Sequence, residues 1–422
     1  MKALCAYFKE NYKEMLSLLF FLVCYASSIL LFLGGTTQET MDWPSDLEFP
    51  AFLPCAIVCV VVIILFIFFE NRFFKMKINV LLIVILSCLF VANLVVIILT
   101  PLENTFEYIH FNTSGIAVVS ITNEWKIMYV FCYALLLLNI HISINYLLYR
   151  VCFNKQFRWL CEIIIVSGLI FVIYSCATEY EIYKLFFENI GETLKEYNPR
   201  SLTNNSNNYA AILLGAGFCS YSMFVVTKKH FFWILGLFFC INIVFPMSRI
   251  CLALSIVLTI MIFAYGMIIS WKKHAFRNIN FIILMVFFIT LTLLVCFATP
   301  EIDEYIKYVF LTNDSSIGYR IPLWKLAVSM TTGWHCFLGN GHGYFNTAFA
   351  LITKKSVYPV LMPHNLYIQT YGALGFLGVA MLGCLIVSAI YKIIRLFKTN
   401  RDAALISIIG LVTILTFYLV EG

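Results

Sequence analysis

A chain of 422 residues that is 62% hydrophobic and 12% charged, with a mean hydropathy of +0.91, is not a water-soluble domain, which carries roughly 25% charged residues. Its formal net charge of +6 is modest and lies mostly on one side of the expected membrane, which argues against the clustered basic surface of a nucleic-acid binder. The fifteen cysteines fall mostly inside apolar runs (Cys24, Cys55, Cys59, Cys88, Cys132, Cys240, Cys251, Cys296, Cys384), where they act as small hydrophobes. No C-x-x-C pair or metal spacing occurs, which argues against a zinc site or a disulfide framework.

In chain order, apolar runs long enough to cross a bilayer lie at about 15–34, 51–69, 78–99, 126–149, 158–177, 207–227, 231–246, 249–270, 278–298, 367–391 and 402–420. The first lacks a convincing small-residue cleavage site and is read as a retained span. Between Phe231 and Ser270 the only charge is Arg249 and the only proline is Pro246, so that stretch reads as two short helices turning at Pro246-Met-Ser-Arg249. The expected architecture is therefore an all-α, polytopic bundle of about eleven membrane helices forming one membrane domain.

Orientation follows from Lys and Arg in the short loops. Lys2, Lys9, Lys13, Arg72, Lys75, Lys77, Arg150, Lys155, Arg158, Lys228, Lys229, Lys272, Lys273, Arg277, Lys392, Arg395, Lys398 and Arg401 all fall on one side if eleven spans alternate from a cytoplasmic amino terminus. These are 18 of the 28 basic residues, whereas 17 of the 22 acids fall on the other side. The outer side then carries a loop at about 178–206 and a longer one at 299–366. A loop of that length is functional or disordered. Its Trp-bearing stretch from Gly318 to Met330, glycine cluster and aromatics read as folded, with one or two short helices. No internal repeat of the transporter kind is visible.

Four features converge on the outer face. Arg249 opens the eighth span. An arginine costs about 2.5–3.5 kcal/mol at the bilayer centre and less near its edge, and intramembrane charges are functional suspects; the alternative is a side chain snorkelling to headgroups. Arg320, in the long loop, offers a planar fork suited to phosphate, or is a solvated loop charge. The run Gly339-Asn-Gly-His-Gly343 superficially resembles a dinucleotide fingerprint but lacks the βαβ setting; it reads as a tight turn, with His342 either a secondary contact or a plain turn residue. His364, in Met362-Pro-His-Asn-Leu, opens the tenth span. The positive end of that helix disfavours imidazolium and leaves a neutral ring able to accept a proton. The same end, with that of the eighth helix, welcomes an anion. Together these point to a phosphorylated substrate whose apolar part enters the membrane. Tyr319, Trp324, Trp334 and Tyr344 could stack on sugars, although aromatics are ordinary at membrane interfaces.

At these residues the sequence resembles the bacterial O-antigen ligase and O-antigen or capsule polymerase family (WaaL and Wzy types). The resemblance covers roughly 200–390. It rests on Asn205-Ser-Asn-Asn208-Tyr-Ala210, Ser248-Arg249, Arg320 followed by Leu323-Trp324, Phe337-Leu-Gly-Asn-Gly-His-Gly-Tyr344-Phe345, and His364-Asn365-Leu-Tyr-Ile-Gln-Thr-Tyr-Gly-Ala-Leu-Gly375. It implies inverting, metal-independent and cofactor-free glycosyl transfer on the outer face of a bacterial cytoplasmic (inner) membrane. The donor would be a glycan on undecaprenyl pyrophosphate and the acceptor a second glycan. Arg249 and Arg320 would hold the pyrophosphate and His364 would deprotonate the acceptor hydroxyl. Ser248, Asn208, Asn365, Tyr319, Trp324, His342 and Tyr344 are the candidate substrate contacts. A partner that regulates chain length belongs to the same picture. Two departures stand out. His342 occupies a place that is usually apolar, and the chain ends at Gly422 where the family commonly has a twelfth span.

The leading reading is a polymerase joining lipid-linked repeat units, favoured by the individuality of the outer loops. The alternative is a ligase moving finished glycan to lipid A core or to protein. A transporter or flippase for the same lipid-linked sugars would instead need charges or broken helices near the bilayer midplane, where the sequence places almost none.

Overall fold

In a computed structural model of the chain, the residues described are 22, 61, 84, 87–88, 91–92, 94–96, 106–112, 115–121, 153–188, 199–203, 206–272, 316–341 and 365–420. The elements are the strands β1 (Phe106–Asn112) and β2 (Gly115–Ile121), then α1 (Phe153–Thr178), α2 (Tyr180–Glu188), a 3-10 turn (Ser201–Thr203), α3 (Ser206–Thr227), α4 (His230–Asn242), α5 (Arg249–Lys272), α6 (Ser316–Met330), α7 (His335–Leu338), α8 (Leu366–Thr399) and α9 (Arg401–Val420). Apart from the β1–β2 hairpin, all of them are helical. The hairpin pairs antiparallel from Phe106 with Ile121 to Asn112 with Gly115, and its β-branched and aromatic residues suit extended backbone.

Five helices are long and apolar enough to cross a membrane: Phe157–Thr178, Ser206–Thr227, Arg249–Gly266, Leu366–Thr399 and Arg401–Leu419. They coincide with five of the expected spans. Those at 15–34, 51–69, 126–149 and 278–298 lie outside the described residues, save helical Leu22 and Val61, and 78–99 is described only at scattered helical positions. Two edges differ from expectation. The span expected to reach 246 ends its helix at Asn242, because Pro246 has no N–H to continue the ladder. The tenth runs on to Thr399 and is broken at Gly375, where φ is 61°. Large apolar side chains on these helices stand open, among them Ile170, Ile173, Ile260 and Val387, as lipid-facing residues must.

The chain divides into two compact units. One comprises Met1–Phe157, Ile317–Tyr391 and Tyr418–Gly422; the other comprises Arg158–Ser316 and Lys392–Phe417. In the second unit α3 is the central helix, buried on nearly every side from Tyr209 to Val225. Small residues let its neighbours approach. A Cβ on Gly168 of α1 would lie 2.5 Å from that of Ala216, and one on Gly236 of α4 would lie 2.5 Å from the Tyr221 ring. The buried stripe of α4, Trp233, Gly236, Phe239 and Cys240, has the three- to four-residue spacing of one helix face. Tyr221 and Thr259 share a hydrogen bond of 2.9 Å that ties α3 to α5; such bonds within membranes contribute about 0.6 kcal/mol on average. At the far end of α3, Lys228 (φ 58°) donates to Tyr265 at 3.0 Å and to Asp402 at 3.3 Å, joining α3, α5 and α9.

Candidate functional site

In the second unit Arg249 is the first residue of α5 and is half-buried. The chain reaches it through a tight turn in which Val244, Phe245 and Met247 donate to the carbonyls of Ile241, Asn242 and Val244. Met247 takes the left-handed conformation, φ 55°, which is strained for a residue with a side chain. Ser248 precedes the helix, and its carbonyl accepts from Leu252 at 2.9 Å. A serine here usually caps the helix with its hydroxyl. This one does not: Ser248 is 2% exposed and its Oγ has no hydrogen-bond partner among the described residues. An unpartnered buried hydroxyl beside an arginine and a helix amino terminus is chemically ready to donate to an anion. Asn208, in the first turn of α3, is half-buried.

Sequence reasoning missed the structure behind this turn. Glu179, between α1 and α2, accepts the backbone N–H of Arg200 at 2.8 Å and of Ser201 at 3.0 Å, and a short hydrogen bond from Ser175. Ser175 also shares a hydrogen bond of 2.8 Å with the Tyr183 hydroxyl. The Tyr183 ring meets Phe245 edge-on, with centroids 5.0 Å apart. Burial pushes the Tyr183 hydroxyl above its ordinary pKa, so it stays protonated and available as a donor. The available signal was an acid placed two residues beyond the expected span at 158–177, which the acid-rich loop that follows concealed.

In the first unit Arg320 and Trp324 lie on α6, four residues apart and therefore on one helix face; both are half-buried. Tyr319 lies in the same helix. The segment after α6 docks into the break in α8. The N–H groups of Asn340 and Gly341 donate to the carbonyls of Gly372 and Ala373, each at 2.9 Å. The Asn340 carboxamide donates to Thr331 Oγ1 at 3.1 Å and to Gly372 O at 3.2 Å. Only glycine permits this approach. A Cβ on Gly339 (φ 75°) would fall 2.2 Å from the Ala373 carbonyl carbon, and one on Gly375 would fall 2.5 Å from that of Phe337. Residues 339–341 of the glycine run thus seat against the broken helix, and His342 and Gly343 lie outside the described residues.

Asn365 opens α8. Its Oδ1 accepts from Tyr367 and Ile368, each at 3.0 Å, and its Nδ2 donates to the Leu419 carbonyl at 2.7 Å. This carboxamide is a helix cap and a tie to the end of α9. It fixes the backbone directly after His364. His364, His342 and Tyr344 themselves lie outside the described residues. The structure therefore places the candidate residues in two groups: Ser248, Arg249 and Asn208 in one unit, and Arg320, Trp324 and Asn365 in the other. Among the described residues no group of three or more His, Cys, Asp or Glu side chains comes together as metal ligands would.

The apolar helices and the polar residues at their ends define an integral membrane protein. Residues 233–383 match the model of a family described as O-antigen ligase. The match spans both Arg249 and Arg320, the docking turn, His364 and the broken helix. Comparison with curated proteins returned no match.

Proposed function

We propose that the chain is a surface-polysaccharide polymerase that moves a glycan from undecaprenyl pyrophosphate to the acceptor sugar of another lipid-linked repeat unit. The observation that carries this reading is the family match over 233–383, which encloses an arginine at the first residue of a membrane helix. In the proposed step the acceptor hydroxyl loses its proton to the neutral His364 imidazole as its oxygen attacks the anomeric carbon. The bond from that carbon to the pyrophosphate oxygen breaks, with inversion. Charge gathering on the departing lipid pyrophosphate is offset by the Arg249 and Arg320 guanidiniums. Departure of that group drives the reaction, so no nucleotide, metal or cofactor takes part. The reaction belongs to the outer face of the bacterial inner membrane.

A second reading, transfer of finished glycan to lipid A core or protein, is favoured by the family's own description as a ligase. One experiment separates the two. A null strain is complemented with wild type, His364→Ala, Arg249→Ala or Arg320→Ala at equal membrane levels, and its surface polysaccharide is resolved by size. A polymerase leaves single repeat units and no ladder in each variant. Long chains retained on the carrier identify a ligase. A wild-type ladder from all three variants overturns the site and returns the transporter reading.

A further inference from the structure

Behind the Arg249 turn, one carboxylate organises two segments that the proposed site needs. Glu179 is held in place by its own backbone: its N–H donates to the Ser175 carbonyl, and its carbonyl accepts from Ile182 and Tyr183 at the start of α2. Its side chain then fastens residues 199–203. Oε1 takes the Arg200 N–H, and Oε2 takes the Ser201 N–H and the Ser175 hydroxyl. Ser201 adopts φ 54°, a conformation that a residue with a Cβ keeps only when its surroundings enforce it. Here Glu179 holds its N–H, and its hydroxyl donates to the Phe171 carbonyl at 2.7 Å. Three residues beyond this turn α3 begins, carrying Asn208 and the fully buried Tyr209. In the other direction Ser175 passes the network to Tyr183, whose ring abuts Phe245, four residues before Arg249.

We propose that Glu179 is the positioning residue of the transfer site: it sets the approach of α3 and, through Ser175, Tyr183 and Phe245, the turn that presents Arg249. This rests on the reading of Arg249 as a pyrophosphate ligand. The requirement is for a head group that only accepts. Every group aimed at Glu179 is a donor, so the isosteric Glu179→Gln turns an amide N–H₂ toward a donor in either flip state. Glu179→Asp is shorter but still accepts at both oxygens. A space-filling role predicts that Gln is the better substitute; an acceptor role predicts Asp.

The test uses the full chain in membranes, at matched amounts, with radiolabelled lipid-linked repeat units as donor. Glu179→Gln is expected to lower the transfer rate per molecule about tenfold or more, as small displacements of a positioning group do, with Glu179→Asp recovering much of the loss. Glu181→Gln, an exposed neighbour paired only loosely with Lys184, serves as the unchanged control. Trypsin treatment of the protein in detergent gives a second readout that does not depend on activity. The Glu179→Gln chain should release the fragment beginning at Ser201 faster than wild type or Glu179→Asp. A Gln variant as active as wild type, or an Asp variant worse than Gln, overturns the proposal. Should Arg249→Ala keep the wild-type rate, the transfer reading fails and the positioning role falls with it; the trypsin comparison still reports whether Glu179 fastens the turn.

Discussion

Ser248 and Asn365 stand at the openings of two membrane helices, yet their side chains are spent differently. Asn365 satisfies two amides and one carbonyl, so its chemistry is consumed in holding α8. Ser248 satisfies nothing among the described residues. Burying an unpaired hydroxyl costs about 1–3 kcal/mol. Ser248→Ala is therefore expected to leave the melting temperature in detergent unchanged or higher, while glycan transfer falls by as much as about a hundredfold if the hydroxyl meets developing charge. A variant that melts earlier with normal transfer would make Ser248 a structural residue. Residue types were legible in the sequence: the arginine at a span edge and the asparagine before a helix both announce themselves. The direction of each side chain was not, because one carboxamide can cap a helix or bind a sugar with equal chemical ease.

The docking of 339–341 into α8 is a contact that tolerates no side chain at Gly339 or Gly375. Its glycines divide into two kinds that only coordinates separate. Gly333 and Gly339 both have positive φ, 62° and 75°, but a Cβ on Gly333 meets nothing within 4 Å whereas one on Gly339 strikes backbone. Gly333→Ala is expected to cost about 1–2 kcal/mol, the left-handed penalty alone. Gly339→Ala adds a collision that no rotamer relieves. Melting temperatures should fall in the order wild type, Gly333→Ala, Gly339→Ala; the reverse order of the two variants would mean that the turn is not seated as described. Positive φ was readable from Gly-Asn-Gly, and both of its glycines adopt it. Its partner was not, since the break at Gly375 looks from the sequence like one more small residue in an apolar run. The shortened α4 shows the converse: Pro246 was visible, but the apolar pattern continues past the point where the ladder stops.

For the whole molecule, composition and the length of the apolar runs carried the membrane assignment, and five described helices match spans read from the sequence. Sidedness rests on the basic residues. Enzyme reporters fused within 178–206 or 299–366 are expected to be active outside the cytoplasm, and those fused near Lys272–Arg277 or Lys398–Arg401 inactive. An active reporter at either basic cluster would invert the orientation. The division of the candidate residues between two units was beyond the sequence, because each unit is assembled from segments far apart along the chain. The broken helix has a consequence for how the chain is made. Free carbonyls within a membrane helix are costly, and those of Gly372 and Ala373, just before the break at Gly375, accept from Asn340 and Gly341. Synthesis runs from the amino terminus, so Asn340 and Gly341 leave the ribosome some thirty residues before the carbonyls they cover. The segment that covers the break is thus made before the helix that needs it.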